Sequence, residues 1–345
     1  MPKNLIPYQK SQSGAYYRQD TRDYQFNALA RAAGIDIKFD WDKGFDVEEK
    51  LNIKLRHENQ GSSSSCCGQG LTAYGEVLEF IETGTIKEFS SRRIYSNIYL
   101  PQGGAYIQDA LKFVTKQSFV LEKDLLSYED GNPPSEQFMR DKGNLSELIL
   151  QDAMKWQAKD YYQVGGNIDN AAIALQNGFG LYMAATGSNG GWSTGDLKPP
   201  LSSERMWGHA FFGKAARIRN GKKAIKIHNS WGNAWCLGGD AWLNEDYFKS
   251  GYIWQPYVLI DKNNFNFMKL IKSKNPNDKT VYLIDTEGSR RAFYDENHFN
   301  SIAPILGLAK RKGNNNGLVD WSQVNEIDES ELIKYPLGRP MFIVE

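Results

Sequence analysis

The apolar pattern changes period part-way along the 345-residue chain, and that change limits the folds open to it. Leu71, Tyr74, Leu78 and Ile81 recur at spacings of three and four, which puts them on one face of a helix. Gly84 is the expected stop. Further helical stretches are expected over about 90–99, 105–116 and 167–176, the last ending at "NGFG". From there the pattern alternates, and "FGLYMAA", "GHAFFGKAARI", "KKAIKIHN" and "DAWLN" read as strands. A helical lobe therefore precedes a strand-rich lobe. "EDGNPPSE", with its Gly and Pro breakers, is the expected boundary between them.

A chain of this length exceeds what one core usually holds, so more than one lobe is expected. The strands taper near "YVLIDKNNF". After about residue 267 a separate module is expected, with "TVYLID", "RRAFY" and "MFIV" as short strands. The first fifty residues are polar and read as irregular, apart from a short helix in "FNALARAAG". Lys+Arg and Asp+Glu both count 41, which removes the electrostatic argument for nucleic acid or an anionic membrane surface. No segment approaches the length of a membrane span, and "MPKNLIPYQKSQSG" lacks the apolar run of a signal peptide. Three cysteines do not make a disulfide framework, and none has CxxC spacing for zinc. The expectation is a soluble protein of a reducing compartment, either cytoplasmic or virion-associated.

"NQGSSSSCCGQG" sets Cys66 and Cys67 where a polar loop enters a helix. Thiolate chemistry needs a lowered thiol pKa, which a helix N-terminus and a nearby imidazolium both favour. The same two residues would also serve as small buried hydrophobes. Only four histidines can supply the base. His57 and His298 have no supporting context. In "KKAIKIHN" a period of two puts Ile225, Ile227 and Asn229 on one face, so His228 is expected to face water. His209 opens an apolar strand in "MWGHAFF", where an inward Asn229 on a neighbouring strand could orient its ring. A core histidine and a turn-forming Asn before "SWG" are the alternatives.

"NQGSSSSCCGQG", "GHAFF" and "HNSWGNAW", in that order, resemble the papain family of cysteine peptidases over approximately Asp20 to Leu259. The resemblance implies that Cys66 is the nucleophile, His209 the general base and Asn229 the residue that orients it. It implies that Gln60 is the oxyanion-hole glutamine. It implies that Trp231 shields the His–Asn bond and that Gly103 and Gly104, in "PQGGAY", pair with substrate backbone. Ala105 and Ala210 fall near the expected side-chain pocket and would leave it roomy. "DTRDYQF" resembles a segment ahead of the domain in bacterial members. The sequence departs from the family at Cys67, where a bulky aromatic is usual, and at Ser63, where a disulfide partner is lost. No inhibitory propeptide of the usual length is seen, so either another form of control or a narrow substrate range is expected.

The fold class expected is α+β, the papain-like two-lobe fold with a barrel-like second lobe and a small β-rich C-terminal domain. The expected division is 1–50 as an N-terminal extension wrapping the core, 51–262 as the peptidase domain and 266–345 as an attachment domain. The last weakly resembles a module of bacterial surface and secreted proteins, and its own Trp321 and the strand over 342–344 are expected in its core. The expected activity is thiol-dependent hydrolysis of a polypeptide substrate, with no metal and no organic cofactor. A peptidoglycan amidase with the same triad and a silent structural or virion homologue are the rival readings. Cell-wall, surface or particle partners would bind through the C-terminal domain, with no nucleic acid and no membrane span.

Overall fold

The computed structural model describes residues 14–17, 38–254, 256–260, 269–278, 280–284, 290–293, 299–300 and 324–333. The chain divides into two compact units, residues 1–24 with 39–263, and residues 25–38 with 264–345.

The first unit opens with strand β1 (Ala15–Tyr16). Strand β2 (Phe45–Asp46) leads into helix α1 (Val47–Leu51), whose first N–H groups are capped by the Asp46 carboxylate. Helix α2 (Cys66–Thr83) is the centre of the helical lobe and ends at Gly84 with φ 70°, as its spacing predicts. It is buried almost all round through Glu79 rather than along one stripe. Its glycines explain this. A methyl on Gly70 would lie 2.9 Å from the Phe211 Cα, and one on Gly68 2.6 Å from the Ser91 carbonyl oxygen, so neighbours press directly on the helix backbone.

Helix α3 (Ser91–Ile98) is capped by Ser90. The stretch expected to be helical over 105–116 begins instead as strand β3 (Ala105–Tyr106), and helix α4 (Ile107–Lys116) follows. "EDGNPPSE" forms a tight turn bridged between Glu129 and Asn132. It does not end the helical lobe, because α5 (Glu136–Arg140) beyond it packs back on α3. Helix α6 (Glu147–Ala153) completes the helices before the sheet.

The second lobe is built from β4 (Asp160–Gln163), helix α7 (Ile168–Gly178), β5 (Leu181–Ser188), β6 (Asp196–Leu197), β7 (Met206–Arg219), β8 (Lys222–His228), β9 (Asp240–Asn244), helix α8 (Glu245–Lys249) and β10 (Tyr257–Ile260). Among the described residues these strands form one eight-stranded sheet in the order β4-β10-β5-β7-β8-β9-β6, with β2 added on β7. The alternating segments thus become strands as expected. Long β7 is the spine of this sheet: it pairs antiparallel with β5 and β8, and α2 packs against it.

Among the described residues the second unit has four strands, β11 (Lys269–Ser273), β12 (Val281–Ile284), β13 (Arg290–Ala292) and β14 (Asn325–Ile327), in the order β13-β12-β11-β14, with helix α9 (Glu329–Leu332). Ile271 and Leu332 pack together, flanked by Tyr282 and Ile327. The segments "FNALARAAG", "DTRDYQF" and "MFIV", with His298 and Trp321, lie outside the described residues. Among the described residues no helix is long and apolar enough to cross a membrane.

Candidate active site

The four serines before Cys66 make a tight hydrogen-bonded turn, and the last three of them are buried. The Ser63 N–H and hydroxyl both donate to the Gln60 carbonyl oxygen, at 3.0 and 2.6 Å. Its hydroxyl also meets that of Ser65 at 2.7 Å. The Ser64 N–H donates to Glu136 at 2.6 Å. Small hydroxyl residues suit such a turn, because each satisfies a backbone group without adding bulk. The turn delivers Cys66 as the first residue of α2, where N–H groups have no partner within the helix and the macrodipole favours an anion.

Gln60 is fully buried and held from both ends of its amide. Its Nε2 donates to the Ser63 carbonyl oxygen at 2.8 Å, and its Oε1 accepts from the Ser230 hydroxyl at 2.7 Å. One Nε2 hydrogen remains beyond the bond to Ser63.

The two adjacent cysteines are driven in opposite directions. Burial alone would raise the Cys66 thiol, but a hydrogen bond from Cys67, the His209 ring and the Ala210 N–H outweigh it and lower its pKa. Burial, reinforced by the neighbouring Cys66, pushes Cys67 well above the usual thiol value. Cys67 stays protonated, its Sγ 3.4 Å from the Ala105 carbonyl oxygen. Of the two thiols, Cys66 is the one whose surroundings favour the thiolate, and Cys67 the one held as a thiol.

His209, on β7, is fully buried, and its Nε2 lies 2.7 Å from Oδ1 of Asn229. The Ser230 N–H donates to the same Oδ1 at 2.8 Å, which identifies that atom as the amide oxygen. Nε2 must therefore carry the hydrogen, leaving Nδ1 with a lone pair. Nδ1 has no hydrogen-bond partner. Trp231 covers the ring at 4.5 Å between centroids. Trp192 and Trp207 stand edge-on to the ring at 5.8 and 6.2 Å. Their indole N–H groups are anchored on Tyr247 and Asn189, so the box around the imidazole is fixed in place.

His228 does not face water as strand alternation suggested. It is 4% exposed, its Nε2 lies 2.9 Å from the Arg56 carbonyl oxygen, and His57 stacks on it at 4.0 Å. The stretch 56–58 covers this end of the outer sheet face, which a local pattern could not reveal.

Gly103 and Gly104 have φ of 95° and 74°, a conformation that favours glycine. They present Ala105 to another backbone, and that backbone is the chain's own. The Ala105 N–H donates to the Gly14 carbonyl oxygen at 2.7 Å, and β1 runs parallel to β3. Gly14 lies directly over the thiol: a methyl on it would sit 2.7 Å from Cys66 Sγ and 2.5 Å from the Ser64 carbonyl oxygen. On the other side, a methyl on Gly208 would meet the Ala15 carbonyl oxygen at 2.4 Å. Ala105 and Ala210 are both fully buried beneath this segment or beside it.

The fold therefore brings together Gln60, Cys66, Gly103, Gly104, Ala105, His209, Ala210, Asn229 and Trp231. Sequence reading missed Gly14, the Ser230 clasp on Gln60 and the Trp192–Trp207 box. Only the glycine preceding "AYY" left a local trace of the first.

No protein-family model matches the chain, and no curated protein matches it. Among solved structures it is similar to xylellain, a cysteine protease from Xylella fastidiosa. The TM-score is 0.59 at 20% identity, covering 73% of this chain and 98% of that one. The chain has the papain-like fold. The papain-like arrangement recurs in the digestive procathepsin L2 proteinase of Tenebrio molitor larval midgut, with TM-score 0.55 and 17% identity over 75% of this chain and 80% of that one. The procathepsin B S9 of Trypanosoma congolense matches with TM-score 0.54 and 11% identity, over 71% and 84%. The two-lobe reading of the papain-like core thus agrees with the observed sheet and helices.

Proposed function

We propose that this protein is a cysteine-type peptidase that hydrolyses polypeptide substrates through Cys66, His209, Asn229 and Gln60. One observation carries the reading: a thiol at a helix start whose pKa is lowered by a buried imidazole that Asn229 holds through its other nitrogen. The Cys66 thiolate attacks the scissile carbonyl carbon, and the carbonyl electron pair moves to oxygen. The Cys66 N–H and the remaining Nε2 hydrogen of Gln60 hold that oxyanion. The proton taken from the thiol, now on His209 Nδ1, passes to the leaving amine as the C–N bond breaks. Water then attacks the thioester, giving its proton to Nδ1, and the acid leaves with the thiolate restored. Asn229 keeps Nε2–H engaged throughout, so Nδ1 is the atom that cycles. None of these steps calls on a metal or an organic cofactor.

The segment 14–17 gives the reading its control element. It covers the thiol and occupies the backbone of β3 that a substrate would use, so the enzyme in this state is latent. Release of the segment would expose Cys66. The second unit, with its own sheet, is read as an attachment domain that does not enter the chemistry.

A peptide-library digest tests the activity. The protein should cleave peptides once the segment is displaced, and Cys66→Ala should not. Cleavage retained in Cys66→Ala would reject the proposal.

A further inference from the structure

Three side chains that the peptidase chemistry does not use converge at the C-terminal end of β8. His57, His228 and Asp240 each offer one ligand atom, all within 4.8 Å of one another. His228 Nε2 faces a carbonyl oxygen, which cannot donate, so Nε2 carries hydrogen and Nδ1 is the ring atom left to take either a proton or a metal ion. Opposite Nδ1, at 3.4 Å, lies Oδ1 of Asp240, another acceptor. His57 Nε2 lies 3.6 Å from the same oxygen. Neither His228 Nδ1 nor Asp240 Oδ1 has a hydrogen-bond partner, although both are buried. Buried lone pairs that face one another call for a positive centre between them, either a proton on the ring or a metal ion.

Two of the three spacings fit a metal ion, and the stacked rings must turn from one another for both to bind it. Nitrogen and oxygen ligands at about 2.0–2.2 Å around a tetrahedral ion stand roughly 3.4 Å apart. The two edges of 3.4 and 3.6 Å that meet at Asp240 Oδ1 match this spacing. The bond from His228 Nε2–H to the Arg56 carbonyl is the outer bond by which metal-bound histidines are oriented. Two neighbouring ammonium groups weigh against a cation. Lys214 and Lys226 both take the other oxygen, Oδ2, at 2.8 and 3.2 Å, and Lys214 is also paired with Glu48 at 2.7 Å. They leave Oδ1 free and soften the site rather than close it. His57 is the most exposed of the three, with 9% of its side chain accessible.

We propose that His57, His228 and Asp240 form a site for a divalent transition-metal ion, with zinc the best match to two imidazoles and one carboxylate. The site is a structural clamp, distinct from the cleft. His57 stands three residues before Gln60, and His228 adjoins Asn229. The Asn229 N–H donates to the carbonyl oxygen of Gly239, the residue before Asp240, at 3.1 Å. A bound ion would tie the loop that carries Gln60 to the strand end that carries Asn229.

The test uses full-length Cys66→Ala protein, so that the active-site thiolate cannot take the metal, stripped with a chelator and titrated with zinc by calorimetry. The result expected is one zinc per chain with Kd of about 10 μM or below and a rise of a few degrees in Tm under saturating zinc. His57→Phe in the same background keeps the ring stacked on His228 but removes a ligand, and should weaken binding at least about tenfold. His209→Ala should leave it unchanged. Absence of stoichiometric zinc, binding untouched by His57→Phe, or binding lost in His209→Ala would each overturn the proposal. Should His57→Phe fail to fold, cobalt titration of Cys66→Ala decides: visible bands of a four-coordinate nitrogen–oxygen site support the clamp, and a purely six-coordinate aquo spectrum refutes it.

Discussion

His209 Nε2 donates to Asn229 Oδ1 across 2.7 Å, and the Ser230 N–H reaches the same oxygen at 2.8 Å. The second bond fixes the orientation of the amide. The amide in turn fixes the tautomer of the imidazole and leaves Nδ1 as the only ring atom able to take a proton.

That dependence ranks two substitutions. His209→Ala removes the proton carrier and should lower kcat by about 10²–10⁴-fold. Asn229→Ala leaves the ring in its tryptophan box and should cost distinctly less. His228→Ala should chiefly lower Tm, since His228 is buried beneath His57. Steady-state kinetics with melting curves for all three will check the order, and a larger kcat loss in Asn229→Ala than in His209→Ala would contradict it.

Cys66 should be the thiol that reacts, with a pH profile to match. Its pKa is lowered to about 5, because Cys67, His209 and the Ala210 N–H outweigh its burial. Burial holds Cys67 well above the usual thiol value and raises Cys236 to about 12. A lowered thiol pKa means thiolate above that value and thiol below it. With the segment 14–17 displaced, alkylation by iodoacetamide should stay nearly flat from pH 8 to 6 and fall through about pH 5. A rate that climbs tenfold per pH unit between 6 and 8 would show an ordinary thiol.

Gly14 should act as the latch. A side chain there collides with Cys66 Sγ and the Ser64 carbonyl, so Gly14→Val cannot keep the segment seated. Gly14→Val should raise kcat/KM on a short peptide by about tenfold or more over the unaltered protein. Activity unchanged or lowered would mean that the segment does not block the cleft.

Much of the core was legible because it is written in local patterns. The 3.6 spacing of Leu71 to Ile81 and the alternation of β5, β7 and β8 need only neighbours in sequence, and so does the start of a helix at Cys66 behind a Ser-rich loop. What stayed hidden depends on distant chain. His228 obeys strand alternation and still is buried, because Arg56 and His57 fold over it. Asp240 gives no local sign of its histidines. β1 is two residues long, too short for any period, and its partner β3 lies about ninety residues away.

The second unit should be dispensable for chemistry. Gln60, Cys66, His209 and Asn229 all belong to the first unit. A chain ending at Asn264, which keeps residues 25–38 but loses nearly all the rest of the second unit, should fold and keep its kcat/KM on a short peptide, once the segment 14–17 is displaced in both forms. A large change in either direction, with the circular dichroism spectrum intact, would place the second unit in the substrate site.

The most direct test of the account is covalent. Gly14→Val protein, treated with a thiol-directed epoxide and digested for peptide mapping, should carry one adduct, on Cys66, with peptide hydrolysis lost in proportion. An adduct on Cys67 or Cys236, or full hydrolysis by protein completely modified at Cys66, would contradict it.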